Sequence, residues 1–154
     1  MNRQLKYRVW DTVLNKFETE YVVIKPNGEV FVLGMTDNMC IPAHKDRFIV
    51  QQFTGVKDKS LKEIYEGDIV KTTDNGISII FGGAKYTRGV VTWLREAFCI
   101  CQKYLGGDEM SNYVPCHCCG CDLVIIGNIF DNPELLEDDP VMKQAWLEKN
   151  NIKN

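Results

Sequence analysis

Apolar and polar residues alternate along Leu5-Lys6-Tyr7-Arg8-Val9-Trp10, the two-residue period of a strand that buries one face. Asp11 to Lys16 carries turn residues, and Phe17 to Ile24 is a run of aromatic and β-branched residues suited to a second strand. Pro26-Asn27-Gly28 reverses the chain, so Glu29 to Leu33 is expected to return as a hairpin partner. Residues 34 to 47 have no clean period and read as a connection with room for a short helical turn. Arg47 to Phe53 is a strand candidate, and Thr54 to Lys62 reads as a polar loop. Glu66-Gly67-Asp68 leads into Ile69-Val70: glycine permits a positive-φ bend, and the aspartate can hold a turn through its carboxylate.

Further along, Ile77 to Phe81 follows the turn Asp74-Asn75-Gly76, and Arg88 to Leu94 and Ala97 to Gln102 look like paired strands. Gly106-Gly107-Asp108 is a strong turn. Leu123 to Ile129 is nearly all apolar and short, which fits a buried strand better than a helix. The C-terminus changes character. Asn132 and Pro133 form an N-cap followed by proline at the first helical position, and Asp139-Pro140 repeats the signal. Met142, Ala145 and Trp146 then share one apolar helix face. About eight or nine short strands with turns every eight to twelve residues predict a mainly β (or α+β) fold, an antiparallel barrel or sandwich with one or two C-terminal helices. The β-rich domain spans 1–139, and 140–154 is a helix with a frayed tail.

Composition narrows the function classes. The chain has 154 residues, 45% apolar and 25% charged, which suits a globular protein with a core of its own. No run of about eighteen apolar residues is present, and the polar, basic N-terminus lacks the apolar core of a secretory signal, so a cytoplasmic, membrane-free protein is expected. With 18 basic and 21 acidic residues, the chain lacks the positive bias that drives non-specific nucleic-acid binding. Lys57, Lys59 and Lys62 are interrupted by Asp58 and Glu63 and read as a solvated loop.

Four ordered blocks resemble the YopX family of phage proteins: Leu5 to Asp11, Gln52-Phe53-Thr54-Gly55-Val56-Lys57-Asp58, Glu63-Ile64-Tyr65-Glu66-Gly67-Asp68-Ile69-Val70, and Ile126-Gly127-Asn128-Ile129-Phe130-Asp131-Asn132-Pro133-Glu134-Leu135. Gly89-Val90-Val91-Thr92-Trp93 adds to them. The resemblance implies a phage or prophage accessory protein of a bacterial host cytoplasm, without an assigned biochemical role. Two features depart from the family pattern: Ser60-Leu61, where relatives commonly have a polar glycine-containing turn, and the cysteine-rich run Cys116 to Cys121. The Gly-Asp pair opening a strand suggests an SH3-like barrel core. Trp10, Tyr65 and Trp93 read as core or rim aromatics.

That cysteine run is the sharpest chemical signal. Cys116 and Cys119 are spaced C-x-x-C and followed by glycine, the shape of a zinc knuckle. Cys99 and Cys101 could complete a tetrahedral set if the strand at 97–104 pairs with 111–118, placing Cys101 opposite Cys116 and Cys99 opposite Cys118. A structural zinc is the cofactor this would hold. Against it, there is no second C-x-x-C, and Cys99 and Cys101 serve equally as small core residues. Enzyme chemistry has little support, since His44 and His117 sit in no nucleophile signature and no phosphate-binding glycine loop occurs. The expectation is a non-enzymatic β module that binds other proteins or copies of itself. A nucleic-acid-binding small barrel and a zinc-stabilised interaction module are the alternatives.

Overall fold

The computed structural model describes residues 5–34, 39–44, 46–72, 88–94, 97–101, 113–115 and 123–136. They are mainly β, and their one helical element is a 3₁₀ turn, Pro133–Leu136. The region that reads as one β-rich domain consists of two compact units, Leu5–Gln52 and the residues from Phe53 onward. The segments Ile77 to Phe81, Gly106 to Asp108 and 140–154, with the expected C-terminal helix, lie outside the described residues.

The first unit contains strands β1 (Tyr7–Asp11), β2 (Lys16–Glu18), β3 (Val22–Ile24), β4 (Val30–Leu33), β5 (Cys40–Pro42) and the start of β6 (Phe48–Lys57). β1 pairs antiparallel with β2 and β6, and β3-β4-β5 form a separate antiparallel sheet. The run Phe17 to Ile24 is two strands rather than one. Between them, the Glu18 carboxylate accepts the N–H groups of Thr19 and Glu20 at 3.1 and 3.3 Å, diverting the backbone from a ladder. The Pro26-Asn27-Gly28 turn forms as expected, with Gly28 at φ 85°. In the stretch read as a connection, β5 is an additional strand. Pro42 argues against a central strand, and β5 accordingly lies at a sheet edge.

Val9, Trp10 and Asp11 are buried in succession, which breaks the expected alternation. Asp11 accounts for this. Its Oδ1 accepts the N–H groups of Val13 and Leu14 at 2.9 and 3.1 Å, closing the β1–β2 turn, while Arg47 Nη2 donates to Oδ2 at 2.7 Å. A carboxylate with this many donors tolerates full burial.

The second unit contains the rest of β6, β7 (Glu63–Tyr65), β8 (Asp68–Thr72), β9 (Arg88–Leu94), β10 (Ala97–Cys101), β11 (Tyr113–Pro115) and β12 (Leu123–Asn128). Five strands form one antiparallel sheet in the order β11-β10-β9-β8-β12. Ile64, Val70, Val91, Phe98, Ile100 and Leu123 make its buried cluster. Each such side chain contributes about 1.5–3 kcal/mol when removed from water. On the register-paired positions facing the other way, Ile69, Val90, Thr92 and Cys99 are also buried. This two-sided burial explains the adjacent apolar pairs Ile69-Val70 and Val90-Val91 on β8 and β9.

β6 continues through Thr54 to Lys57, where a polar loop is expected from the sequence. Its pairing with β7 is irregular between Phe53 and Lys57, with Gly55 at φ 88° and Thr54 Oγ1 donating to the Ile64 carbonyl at 2.8 Å. A bulge thus carries the turn chemistry inside a strand.

Two substitutions test these local assignments in urea denaturation. Gly127→Ala places a methyl 2.6 Å from Asn132 Oδ1 and 2.8 Å from Leu135 Cδ1, and is expected to cost about 2–3 kcal/mol. Leu61, 77% exposed, sits at φ 64°. Leu61→Gly relieves a left-handed strain of about 1–2 kcal/mol at a chain-entropy cost of about 0.5–1 kcal/mol, so it is expected to stabilise slightly. A destabilising Leu61→Gly would contradict the left-handed assignment.

Candidate functional site

Asp58, Asp68 and Asn128, buried in the second unit, hydrogen-bond to backbone groups, and Asp68 and Asn128 also to each other. Asp58 Oδ1 accepts the N–H groups of Ser60 and Lys62 at 2.8 and 2.9 Å, and Oδ2 accepts that of Ile125 at 3.2 Å. Asp68 Oδ2 accepts the Tyr65 N–H at 2.8 Å, while Oδ1 takes a hydrogen bond from Asn128 Nδ2 at 3.2 Å. Gly67 lies between them at φ 80°, donating to the Val91 carbonyl and accepting from the Ile129 N–H. Asn132 does not cap the 3₁₀ turn through its oxygen. That oxygen instead accepts the Asn128 N–H at 3.3 Å. The blocks around 52–58, 63–70 and 126–135 are therefore joined through structural contacts, in which Asp58 accepts backbone N–H groups and Asp68 accepts one backbone N–H and the Asn128 side-chain amide.

The four thiols expected to hold zinc are placed only in part. Cys99 is on β10, buried, with its Sγ 3.8 Å from the Ala97 carbonyl oxygen. Cys101 is the last residue of β10. Cys116 and Cys119 lie outside the described residues. The hairpin between β10 and β11 forms, but Cys99 pairs with Pro115 and Cys101 with Tyr113, three residues away from the expected register. Loop length sets hairpin register, and that length cannot be read from glycines alone. Cys99 thus packs on the sheet face that also carries Thr92. Among the described residues, no group of three or more Cys, His, Asp or Glu side chains could hold a metal ion. His44 is exposed.

Of the three aromatics, Trp10 is buried, Tyr65 is half-buried, and Trp93 is 41% exposed with its ring edge-on to Phe98 at 4.7 Å.

Among the described residues, the three-stranded sheet of the first unit is an apolar surface without a buried side chain. All ten residues of β3, β4 and β5 are apolar (Val-Val-Ile, Val-Phe-Val-Leu and Cys-Ile-Pro), and none is buried. Register places Val22, Val32 and Ile41 on one face and Val23, Phe31 and Pro42 on the other. An antiparallel sheet with one solvated face alternates apolar and polar residues, and this sheet does not. Ile41 is 57% exposed, Met39 62% and Tyr21 43%. An open groove of about 360 Å³ adjoins it, lined in part by Val30, Phe31, Pro42, His44, Phe48 and Val50. Lys25 covers part of the sheet, its Nζ 4.0 Å from the Phe31 ring centroid. The segment carries no motif of a binding or catalytic site. The available signal was the absence of polar alternation in its short strands.

Two antiparallel β units, whose buried Asp11, Asp58 and Asp68 accept backbone N–H groups at turns, define a class of small mainly β proteins. The YopX protein family matches residues 6–137, and the chain belongs to that family. Its fold is similar to protein EF1440 from Enterococcus faecalis, at 19% identity and TM-score 0.54, over 88% of this chain and 100% of that one. It is also similar to protein yopX from Bacillus subtilis, at 21% identity and TM-score 0.53, over 85% and 97% of the two chains. No curated protein matches it significantly. No helix among the described residues is long and apolar enough to cross a membrane.

The Asp11–Arg47 pair sets a pH dependence. Burial alone would raise the Asp11 carboxyl, but hydrogen bonds from Arg47, Leu14 and Val13 outweigh it and hold the group below its ordinary 3.8. A depressed folded-state pKa stabilises the fold above the unfolded value and is lost as pH falls through the folded one. Urea midpoints should therefore drop below about pH 4. Asp11→Asn should be weaker at pH 7, and the gap to the parent should narrow by pH 3. A constant gap would contradict the assignment.

Proposed function

We propose that this YopX-family chain is a non-enzymatic protein-interaction module of a phage or prophage, and that the sheet of β3, β4 and β5 is its contact surface. The observation that carries this reading is that all ten strand residues are apolar and none is buried. Exposed contiguous apolar surface of this kind commonly marks a protein contact. The commitment of Asp11, Asp58 and Asp68 to turns and an ion pair supports a role without acid–base chemistry. In this reading the five-stranded sheet is the core of the small SH3-like barrel expected from the sequence, and the amphipathic segment after Asp139 is a C-terminal helix.

Ile41→Lys tests the carrying observation. A side chain that serves contact rather than core can be charged without loss of the fold, so its thermal midpoint should stay within a few degrees of the parent. The variant should also lose association with the protein's partner, read by sedimentation velocity for self-association and by affinity capture for others. Loss of cooperative unfolding would assign Ile41 to the core and overturn the reading.

A further inference from the structure

Two edges bound the apolar sheet, and they differ in what they offer. Hydrogen bonds from Leu33 N–H to the Tyr21 carbonyl and from Lys25 N–H to the Glu29 carbonyl fix which β3 residues face β4. Because antiparallel pairs alternate, Tyr21, Val23 and Lys25 point their backbone groups inward, and Val22 and Ile24 point theirs outward. On the other edge, Ala43 N–H bonds the Val30 carbonyl and Gly34 N–H the Met39 carbonyl, so Cys40 and Pro42 face outward on β5. Pro42 has no N–H. The β5 edge is blunted as proteins commonly blunt edges, while β3 is three apolar residues with neither proline nor charge.

The geometry points to β3 pairing antiparallel with β3 of a second copy of this chain about a two-fold axis at Val23, an assignment that rests on the sheet being a contact surface. Only one symmetric register satisfies both outward rungs. Centred on Val23, Val22 of each copy pairs with Ile24 of the other, giving four backbone hydrogen bonds. Centred on Ile24, Val22 would face Pro26, which cannot donate. Centred on Val22, Ile24 would face Glu20, whose N–H already bonds the Glu18 carboxylate at 3.3 Å. The charges agree with the Val23 register. Antiparallel pairing sets the end carrying Glu18 and Glu20 beside the end carrying Lys25 of the second copy, and no like charges stand opposite one another. With β5 blunted, the pairing closes as a dimer and does not propagate.

Val23 tests the axis directly, because it is 39% exposed and meets its own copy there, with Cβ atoms about 4.5–5.5 Å apart. In sedimentation velocity at about 100 μM, the wild-type chain is expected to be dimeric. Val23→Lys and Val23→Glu alone are each expected to be monomeric, and an equimolar mixture of the two is expected to recover the dimer. Ile24→Pro, which removes an outward-facing N–H without removing a β3–β4 hydrogen bond, is the second variant and is expected to weaken the dimer at least tenfold. A monomeric wild type, or a mixture that does not recover, overturns the pairing. If association instead persists in both Val23 variants and is lost in Ile41→Lys, the edge assignment falls while the sheet remains a contact surface.

Discussion

The turn at Glu66-Gly67-Asp68 is the constraint on which the second unit depends. Asp68 is 1% exposed, and its two oxygens tie the Tyr65 N–H on β7 to the Asn128 side chain at the end of β12. Gly67 adds backbone bonds to Val91 on β9 and to Ile129. One turn of three residues thereby holds the ends of strands distant in sequence. A buried carboxylate is costly unless its acceptor sites are filled, and here amide donors fill them. Asp58 does the same for the loop before β7, reaching Ile125 on β12. The sheet between these pins can then be apolar on both faces.

The first unit solves a different problem. Its β1, β2 and β6 strands are organised by the Asp11–Arg47 pair, with Arg8 bonded to Gln51 and stacked over Phe17. Its other sheet has no comparable polar system and no buried residue. Such a surface is unfavourable in water, and that imbalance between the two sheets motivates the contact role proposed for it.

Much of the β architecture was legible in the sequence where local chemistry and burial agree. The Gly28 turn, the Gly67-Asp68 turn, the β9–β10 pair and β12 all follow from turn residues flanking apolar runs. The misses have physical causes. Thr54 and Gly55 signal a loop, yet they form a bulge in β6 because Thr54 Oγ1 reaches the Ile64 carbonyl, a contact set by tertiary pairing. β5 is hidden by Pro42, and the β10–β11 register depends on a loop geometry that composition does not encode. Of the candidate zinc set, Cys99 reads equally as ligand or packing residue by sequence, and it lies buried beside Thr92, while Cys116 and Cys119 fall outside the described residues. The apolar sheet was visible as Val22-Val23-Ile24 and Val30 to Leu33, but its meaning required knowing that none of its strand residues is fully buried.

The most direct test of the contact surface is hydroxyl-radical footprinting of the dilute, monomeric chain. Met39 and Tyr21, at 62% and 43% exposure, should oxidise readily, while Trp10, at 4%, should resist. Protection of Met39 and Tyr21 to the level of Trp10 would mean that the sheet is already covered within one chain, and would contradict its role as an open surface for a partner.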